Sequence, residues 1–300
     1  MSETVVATIY LGFLLLFCLL LGRIASHLRI PKVTGYISAG IMAGPSSLGF
    51  FSVELSTWIY NCLDELRFLS DLALGLIAFN LGGEFQHERF KKMGKQIVTI
   101  SLIETFITFS VVFCLLIFFT RNMPAALCLG ICAIATAPCA TLLVLREYDS
   151  EGFVTNALTI LTGLNNLICL GVFTLCFPII LIVGQGGSLI GSSSTFFLSL
   201  TGFLSSLAVG FILGFLFGIF ERRFIKPIEL IVLVIAAVLL GIGMSHMLKV
   251  SPLLINLVMG ATIVNLSKKG TFVFEEVKKI DLPFYAAFFA ITGASLHWGY

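Results

Sequence analysis

The sequence predicts an all-α polytopic membrane protein with about ten membrane-spanning helices. Hydrophobic residues make up 58% of the 300 residues and charged residues 11%, whereas soluble domains carry about 25% charge. Apolar segments of membrane-spanning length recur along the chain, and basic residues are concentrated in alternate connections between them. The formal net charge of +2 provides no strongly basic surface, so we expect no nucleic-acid partner.

The first apolar run extends from Thr4 to Gly22 and is long enough to cross a bilayer, which takes about 20 residues. The residues before it lack the positive charge of a signal peptide, so we expect a retained first helix. The neutral stretch Gly184–Ser194 is the most linker-like part of the chain. The ten predicted spans lie at residues 4–22, 30–45, 66–82, 96–120, 123–145, 153–183, 194–220, 227–248, 251–266 and 282–298.

Lys and Arg are distributed unequally between two sets of connections. The odd-numbered connections carry 15 of these 18 residues, and the even-numbered ones carry only Arg67, Arg121 and Lys249. Cytoplasmic loops of membrane proteins are enriched in Lys and Arg. We therefore predict cytoplasmic odd-numbered connections and an N-terminus outside the cytoplasm.

Two pairs of spans share a spacing pattern that suggests an internal repeat. Span two reads "IPKVTGYISAGIMAG" and span nine "VSPLLINLVMGATIV", with Gly40 and Gly260 at the same position. The charge count makes these two spans run in opposite directions, which is typical of the inverted repeats of secondary transporters. Spans three and ten each have Phe and Gly four residues apart: Phe79 and Gly83, Phe289 and Gly293.

The repeat hypothesis divides a single transmembrane domain, residues 1–300, into three parts. Repeat one covers about residues 1–183, and a linker helix covers about residues 194–220. A partial repeat two covers about residues 227–300. No predicted span in repeat two corresponds to spans four to six of repeat one, so we expect the second repeat to be incomplete.

Span five contains the string "AIATAPCAT", with Thr136, Pro138 and Thr141. Proline removes a backbone donor and clashes with the preceding helical turn. An interrupted helix at membrane depth is tolerated where it is buried in protein or lines a wet cavity. The string therefore fits either an unwound segment that faces an ion or a simple proline kink.

Span six contains "LTGLNNLICLGVF", which places Asn165 and Asn166 inside an apolar helix. Buried amides are costly in a membrane unless they are paired. They fit either hydrogen bonds between helices or a polar site. Asn166 follows Pro138 by 28 residues, so an antiparallel hairpin would place both at similar depth and favours a shared site.

Glu104 in span four is the deepest carboxylate in the sequence. An isolated acid near the bilayer centre costs about 3 kcal/mol, so it must be neutral, paired or near water. It fits either a proton-titrating group or a hydrogen-bonded packing residue.

The sequence shows no arrangement typical of an enzyme or of a cofactor. We find no nucleophile–base pair among the spans. Cys128 and Cys132 are one helical turn apart, but no His is near them, and we interpret them as apolar packing residues. We therefore expect no catalytic residues, no resident metal and no cofactor.

Six strings, in this order, make the chain resemble the monovalent cation:proton antiporter superfamily, which includes bacterial sodium/hydrogen exchangers and glutathione-gated potassium efflux systems. These strings are distributed over residues 28–296, which is nearly the whole length of the chain. The strings are "LRIPKVTGYISAGIMAGPSSLG", "LALGLIAFNLGGEF", "ATAPCATLLVLRE", "GLNNLICLGVF", "GMSHMLKVSPLLINLVMGATIV" and "LPFYAAFFAITGASL".

The resemblance implies a sodium/proton antiporter-like helix bundle with a broken fifth helix, in which a core domain moves like an elevator beside a dimerisation domain. It places Thr136 and Pro138 at the break, and Asn165 and Asn166 beside the ion. The expected protein is a homodimer in the bilayer of a bacterial inner membrane. Its partners are a monovalent cation and protons.

The chain departs from the family pattern at two points. The family has Asn-Asp or Asp-Asp where this chain has Asn165 and Asn166, and an amide does not exchange protons near neutral pH. The resemblance also implies about thirteen spans, whereas ten are predicted here, so we expect a truncated chain. The leading hypothesis is exchange of Na⁺ or K⁺ for protons, with Glu104 as an alternative coupling residue. The alternatives are a transporter-like sensor, an uncoupled pathway and an organic-anion carrier.

Overall fold

The structure is a computed structural model that describes residues 3–49, 52–184, 192–223 and 226–296. Within these ranges the regular secondary structure is helical. The α-helices are α1 (Glu3–His27), α2 (Lys32–Ala43), α3 (Pro45–Leu48), α4 (Val53–Glu65), α5 (Arg67–Gly83), α6 (His87–Thr120), α7 (Met123–Cys132), α8 (Pro138–Glu147), α9 (Phe153–Gly184), α10 (Ser192–Phe220), α11 (Pro227–Leu248), α12 (Pro252–Leu266), α13 (Gly270–Lys278) and α14 (Asp281–Ala294). A single 3₁₀ turn, Glu221–Arg223, follows α10.

In the described residues each predicted span corresponds to one main helix, except span five, which falls on α7 and α8 together. Residues 297 and 298 of predicted span ten lie outside the described residues. Residues 185–191 of the predicted linker lie outside the described residues. Helices α3, α4 and α13 were not predicted, because they are short or carry charge. In α13 the side chains of Val273, Phe274 and Val277 are buried, whereas its remaining positions are largely polar, as in an amphipathic surface helix.

Five helices in the described part of the chain are long and apolar enough to cross a membrane on their own. A sixth candidate appears if α4 and α5, which are bent by 49° at their junction, form one broken span. The other predicted spans correspond to helices shorter than the roughly 20 residues that a straight crossing takes. The five long segments are Thr4–His27, Lys95–Thr120, Phe153–Phe177, Phe197–Phe220 and Pro227–Leu248.

The chain divides into two compact units. One comprises Met1–Ile77, Cys139–Ser150 and Glu275–Tyr300, and the other comprises Ala78–Pro138 and Glu151–Phe274. The core of the first unit is apolar, and the Tyr10 hydroxyl inside it donates to the Ala43 carbonyl at 3.0 Å. This bond satisfies a carbonyl at the end of α2.

In the first unit, α2 and α14 approach each other through glycine. A Cβ on Gly40 would overlap the Ala290 carbonyl oxygen, and one on Gly293 would overlap the Ile37 carbonyl oxygen. Small residues at such points allow helix backbones to pack closely in membranes. The glycines in the "SAGIMAG" and "FAITGA" strings are therefore required for this crossing.

In the second unit, the end of α5 packs on α12 in the same way. A Cβ on Gly82 would overlap the Leu257 carbonyl oxygen, and one on Gly260 would overlap the Phe79 carbonyl oxygen. Gly83, in contrast, lies against the ring of Phe274. The crossing of α5 and α12 thus uses Gly82 rather than Gly83.

These two crossings are equivalent under the predicted repeat. Ile37 and Gly40 in α2 have the same spacing as Leu257 and Gly260 in α12, and each pair meets a glycine-containing helix. Span two therefore contacts span ten as span nine contacts span three, a correspondence that the predicted repeat would explain. The predicted alignment of span three with span ten was wrong by one residue, because Gly82 and not Gly83 makes the contact with α12.

The glycines of α10 pack inside the second unit. Gly210 lies against the Ile255 carbonyl oxygen, and Gly214 lies against the Met259 carbonyl oxygen and Thr262. Both helices belong to the same unit. This stripe of small residues, which by its pattern would also suit a dimer contact, serves internal packing here.

Candidate functional site

The predicted interruption of span five is confirmed. Helix α7 ends at Cys132 and α8 begins at Pro138, with residues 133–137 outside both helices. The last bonds of α7 tighten, because Ile134 and Ala135 donate their amides to carbonyls three residues back, at 3.1 Å each. Pro138 is the first residue of α8, where its missing N–H costs no helical bond. A simple proline kink, which would have kept the helix on both sides, is therefore excluded.

Asn165 and Asn166 both reach Thr136 in this interruption. Nδ2 of Asn166 donates to the Thr136 carbonyl oxygen at 2.6 Å, and Nδ2 of Asn165 donates to Oγ1 of Thr136 at 3.2 Å. These contacts confirm the predicted packing of span six against the broken part of span five. The adjacent amides hold one end of the unwound segment against α9.

Glu104 lies in the same cluster. Nδ2 of Asn165 donates to Oε2 of Glu104 at 3.1 Å. Neither α7 nor α9 contains an acidic or basic side chain or a histidine. Glu104 is therefore the carboxylate of a cluster built by α6, α9 and the segment between α7 and α8, and its partner is the first of the two asparagines.

Ser101 completes the cluster and was missed by the sequence analysis. Its Oγ donates to Oδ1 of Asn165 at 2.7 Å, and both residues are almost fully buried, at 0% and 1% exposure. Ser101 precedes Glu104 by three residues, so both lie on one face of α6. A polar pair at this spacing in an apolar helix was the available signal, but serine alone is unremarkable in a membrane helix.

The two asparagine side chains differ in which of their polar atoms are hydrogen-bonded. In Asn165 both the oxygen and the nitrogen of the amide have partners, which are Ser101 for the oxygen and Glu104 and Thr136 for the nitrogen. Asn166 donates both N–H groups, to the carbonyl oxygens of Thr136 at 2.6 Å and Thr162 at 2.8 Å. Within the described part of the chain its Oδ1 receives no hydrogen bond, so this oxygen is free to accept one or to coordinate a cation.

The cluster therefore presents oxygen atoms of three kinds: a carboxylate, a hydroxyl and an amide. Glu104, Thr136 and Asn166 are each partly exposed, whereas Asn165 is buried behind them. At membrane depth, unwound backbone carbonyls and the ends of broken helices can coordinate Na⁺ or H⁺, and these side-chain oxygens lie beside such a segment. The arrangement is chemically suited to a small monovalent cation and a proton.

A second polar network lies at the other end of the broken span, within the first unit. The backbone N–H of Lys32 donates to Oε2 of Glu147 at 2.8 Å, which caps the start of α2. Arg146 forms an ion pair with Asp281 at the start of α14, and its guanidinium lies 5.9 Å from the centre of the Tyr285 ring. The end of α8 is thus tied to the N-termini of the two helices that cross at Gly40.

The chain is similar to a family model and to a solved structure of a membrane transporter. A family model described as "Sodium/hydrogen exchanger, transmembrane" matches residues 12–299. Among solved structures, the chain is similar to the sodium proton antiporter MjNhaP1 from Methanocaldococcus jannaschii at pH 8, with a TM-score of 0.69 and 19% identity. That match covers 99% of this chain and 72% of the other. A search of the curated proteins found no match.

Proposed function

Because this chain belongs to the sodium/hydrogen exchanger family, a family of membrane transporters, we propose that it exchanges a monovalent cation, Na⁺ or K⁺, for protons. Its fold, which is that of a sodium proton antiporter, and its apolar helices make it an integral membrane protein. The homodimer, the bacterial inner membrane and the external N-terminus stay predictions.

One observation supports coupled exchange in spite of the amide at position 166. Antiport through one site requires a group that carries a proton in one state and balances a cation in the other. Glu104 is such a group, and it is hydrogen-bonded to Asn165 at 3.1 Å. We therefore assign the exchanging carboxylate to Glu104 rather than to the residue after Asn165.

The proposed cation site uses three side chains. Ionised Glu104 supplies the charge, and Oγ1 of Thr136 and Oδ1 of Asn166 supply neutral oxygens. When Glu104 takes up a proton, it no longer balances the cation charge, and the cation leaves. Binding of the two ions is then mutually exclusive, which is what exchange at one site requires.

A second candidate function is a transporter-like sensor or an uncoupled pathway, and Asn166 itself favours it. With an amide at this position the site has one carboxylate fewer than an Asp-Asp site. If Glu104 stays permanently neutral or permanently ionised, exchange is lost and the fold is kept. An organic-anion carrier is less consistent with the cluster, since a carboxylate bonded to Asn165 would repel an anionic substrate.

Purified protein in sealed vesicles with a pH-sensitive dye inside tests the proposal. An imposed Na⁺ or K⁺ gradient should drive proton movement through the native protein. Glu104→Gln should abolish it, whereas Asp71→Asn, which removes a half-buried carboxylate outside the cluster, should not. Proton movement equal to that of protein-free vesicles would contradict exchange and favour the uncoupled or sensor alternative.

A further inference from the structure

The buried amide of Asn165 lies between two residues of the same helix. On one side, Oγ of Ser101 donates to its Oδ1 at 2.7 Å. On the other side, its Nδ2 donates to Oε2 of Glu104 at 3.1 Å and to Oγ1 of Thr136 at 3.2 Å. Ser101 and Asn165 are 0% and 1% exposed, so water does not compete for the hydrogen bond between these two residues. The orientation of the amide is therefore set by its protein neighbours.

The amide has two possible orientations, because the hydroxyls of Ser101 and Thr136 can each donate or accept. The Glu104 carboxyl is more restricted, because it only accepts hydrogen bonds when it is ionised and can donate one only when it is protonated. An ionised Glu104 therefore requires the Asn165 N–H groups to face it, which turns Oδ1 towards Ser101. A protonated Glu104 also permits the opposite orientation, with Oδ1 towards Glu104 and Nδ2 towards Ser101.

We propose that Ser101 is a positioning residue whose hydroxyl holds the Asn165 amide with its N–H groups towards Glu104 and so favours the ionised, cation-binding form of the site. This inference rests on the proposed exchange at Glu104. Ser101 touches neither ion. It acts through Asn165, because donation to Oδ1 stabilises the one orientation that an ionised Glu104 accepts.

Helices α7 and α9, which pack against α6 in the described part of the chain, carry no charged side chain, so they add no charge near Glu104. Helix α6 packs against α7 and α9, whose titratable side chains are the thiols of Cys128, Cys132, Cys169 and Cys176. On α6 itself the charged residues other than Glu104 lie at Lys95 or before it, more than two helical turns away. The hydrogen-bond partner of Glu104 in this cluster is the Asn165 amide.

The test compares three variants for exchange as a function of pH. Ser101→Ala removes the hydroxyl, Ser101→Thr keeps it, and Ser101→Cys replaces it with a weaker donor. Ser245→Ala is the matched control, since Ser245 is also buried, at 1% exposure, but its hydroxyl bonds only to Ile242 of its own helix at 2.6 Å. Each variant is also tested for thermal stabilisation by NaCl and by KCl across the same pH range.

Ser101→Ala should move the pH midpoint of exchange upward by about half to one pH unit, the effect of losing one hydrogen bond. The KM for the cation should rise below that midpoint, and kcat at high pH should stay near the native value. Ser101→Thr should restore the native midpoint, and Ser101→Cys should lie between. The midpoint of cation-induced stabilisation should shift in parallel.

Two results would overturn the inference about Ser101. One is a midpoint unchanged in both Ser101→Ala and Ser101→Cys, and the other is an equal shift in Ser245→Ala. If the native protein exchanges normally and either of these results is found, the role of Ser101 is contradicted and the proposed function is kept. Cation-induced stabilisation with the expected shifts, but without exchange, contradicts the proposed function and keeps the role of Ser101. If the native protein shows no exchange and no cation-induced stabilisation, the proposed function and the role of Ser101 are both contradicted.

Discussion

Asn165 and Glu104, which are 61 residues apart in sequence, are joined by a hydrogen bond of 3.1 Å from Nδ2 to Oε2. This bond brings a carboxylate from α6 to the asparagine pair on α9. The pair itself contains no ionisable group. In the proposed exchange, the Glu104 carboxylate therefore takes the place of an acidic side chain at position 166.

Thr136 should contribute to cation affinity through its hydroxyl. Thr136→Ala removes one oxygen and one partner of Asn165, which is worth about 1 kcal/mol, so the KM for the cation should rise about fivefold. Thr136→Ser keeps the hydroxyl and serves as the control, with a KM near the native value. Equal KM values in Thr136→Ala and the native protein would remove the hydroxyl from the proposed site.

Gly40 and Gly260 should be equally intolerant of a side chain. A Cβ at either position would overlap a carbonyl oxygen of the crossing helix, whereas a Cβ at Gly218 would meet nothing within 4 Å. Gly40→Ala and Gly260→Ala should lower the melting temperature in detergent. Gly218→Ala should leave it unchanged or raise it, because alanine favours a helix by about 1 kcal/mol. Gly40→Ala and Gly260→Ala proteins that melt at the same temperature as Gly218→Ala would contradict the need for glycine at the two crossings.

The Arg146–Asp281 pair should stabilise the first unit. The Asp281 side chain is 5% exposed, and removing one partner of a buried pair costs about 3 kcal/mol or more. Arg146→Ala should therefore strongly lower the melting temperature. Asp281→Asn added to Arg146→Ala should recover part of the loss, because the uncompensated charge is gone. A double variant that is less stable than Arg146→Ala would contradict this explanation.

The charge distribution predicts which face of the protein is cytoplasmic. In a variant without native cysteines, Lys92→Cys should react with an impermeant thiol reagent only from the cytoplasmic side. Ser188→Cys, which lies in the segment outside the described residues, should react only from outside. The opposite pattern would reverse the predicted orientation.

The sequence predicted the local features of the site but not its partners. Pro138 showed where span five breaks, and the neighbouring asparagines showed which part of span six is polar. The bond between Glu104 and Asn165 depends on how α6 packs on α9, which no local pattern contains. Ser101 has no distinctive sequence context, and it becomes recognisable only through its contact with Asn165.

As for the site, the features of the fold that depend on local sequence were predicted, and those that depend on long-range packing were not. Hydropathy placed the long helices, because length and apolar composition are local properties. It missed α13, since burial of Val273 and Phe274 occurs in a charged segment. The repeat remains a prediction from spacing. Its register depends on whether Gly82 or Gly83 faces α12, and neighbouring glycines look alike in the sequence.

The central claim is that one carboxylate, at Glu104, couples cation movement to proton movement. Its most direct test measures Na⁺- and K⁺-driven proton movement in vesicles for Glu104→Gln, for Asn166→Asp and for the two changes combined. Expression and melting temperature are measured alongside, since a new acid in a membrane helix costs about 2.5–3.5 kcal/mol.

We expect Glu104→Gln to be inactive and the combined variant to regain exchange, because it returns a carboxylate to the site next to Asn165. Native protein and Asn166→Asp should both be active. Exchange that persists in well-folded Glu104→Gln would contradict the claim and place the coupling group elsewhere in the protein.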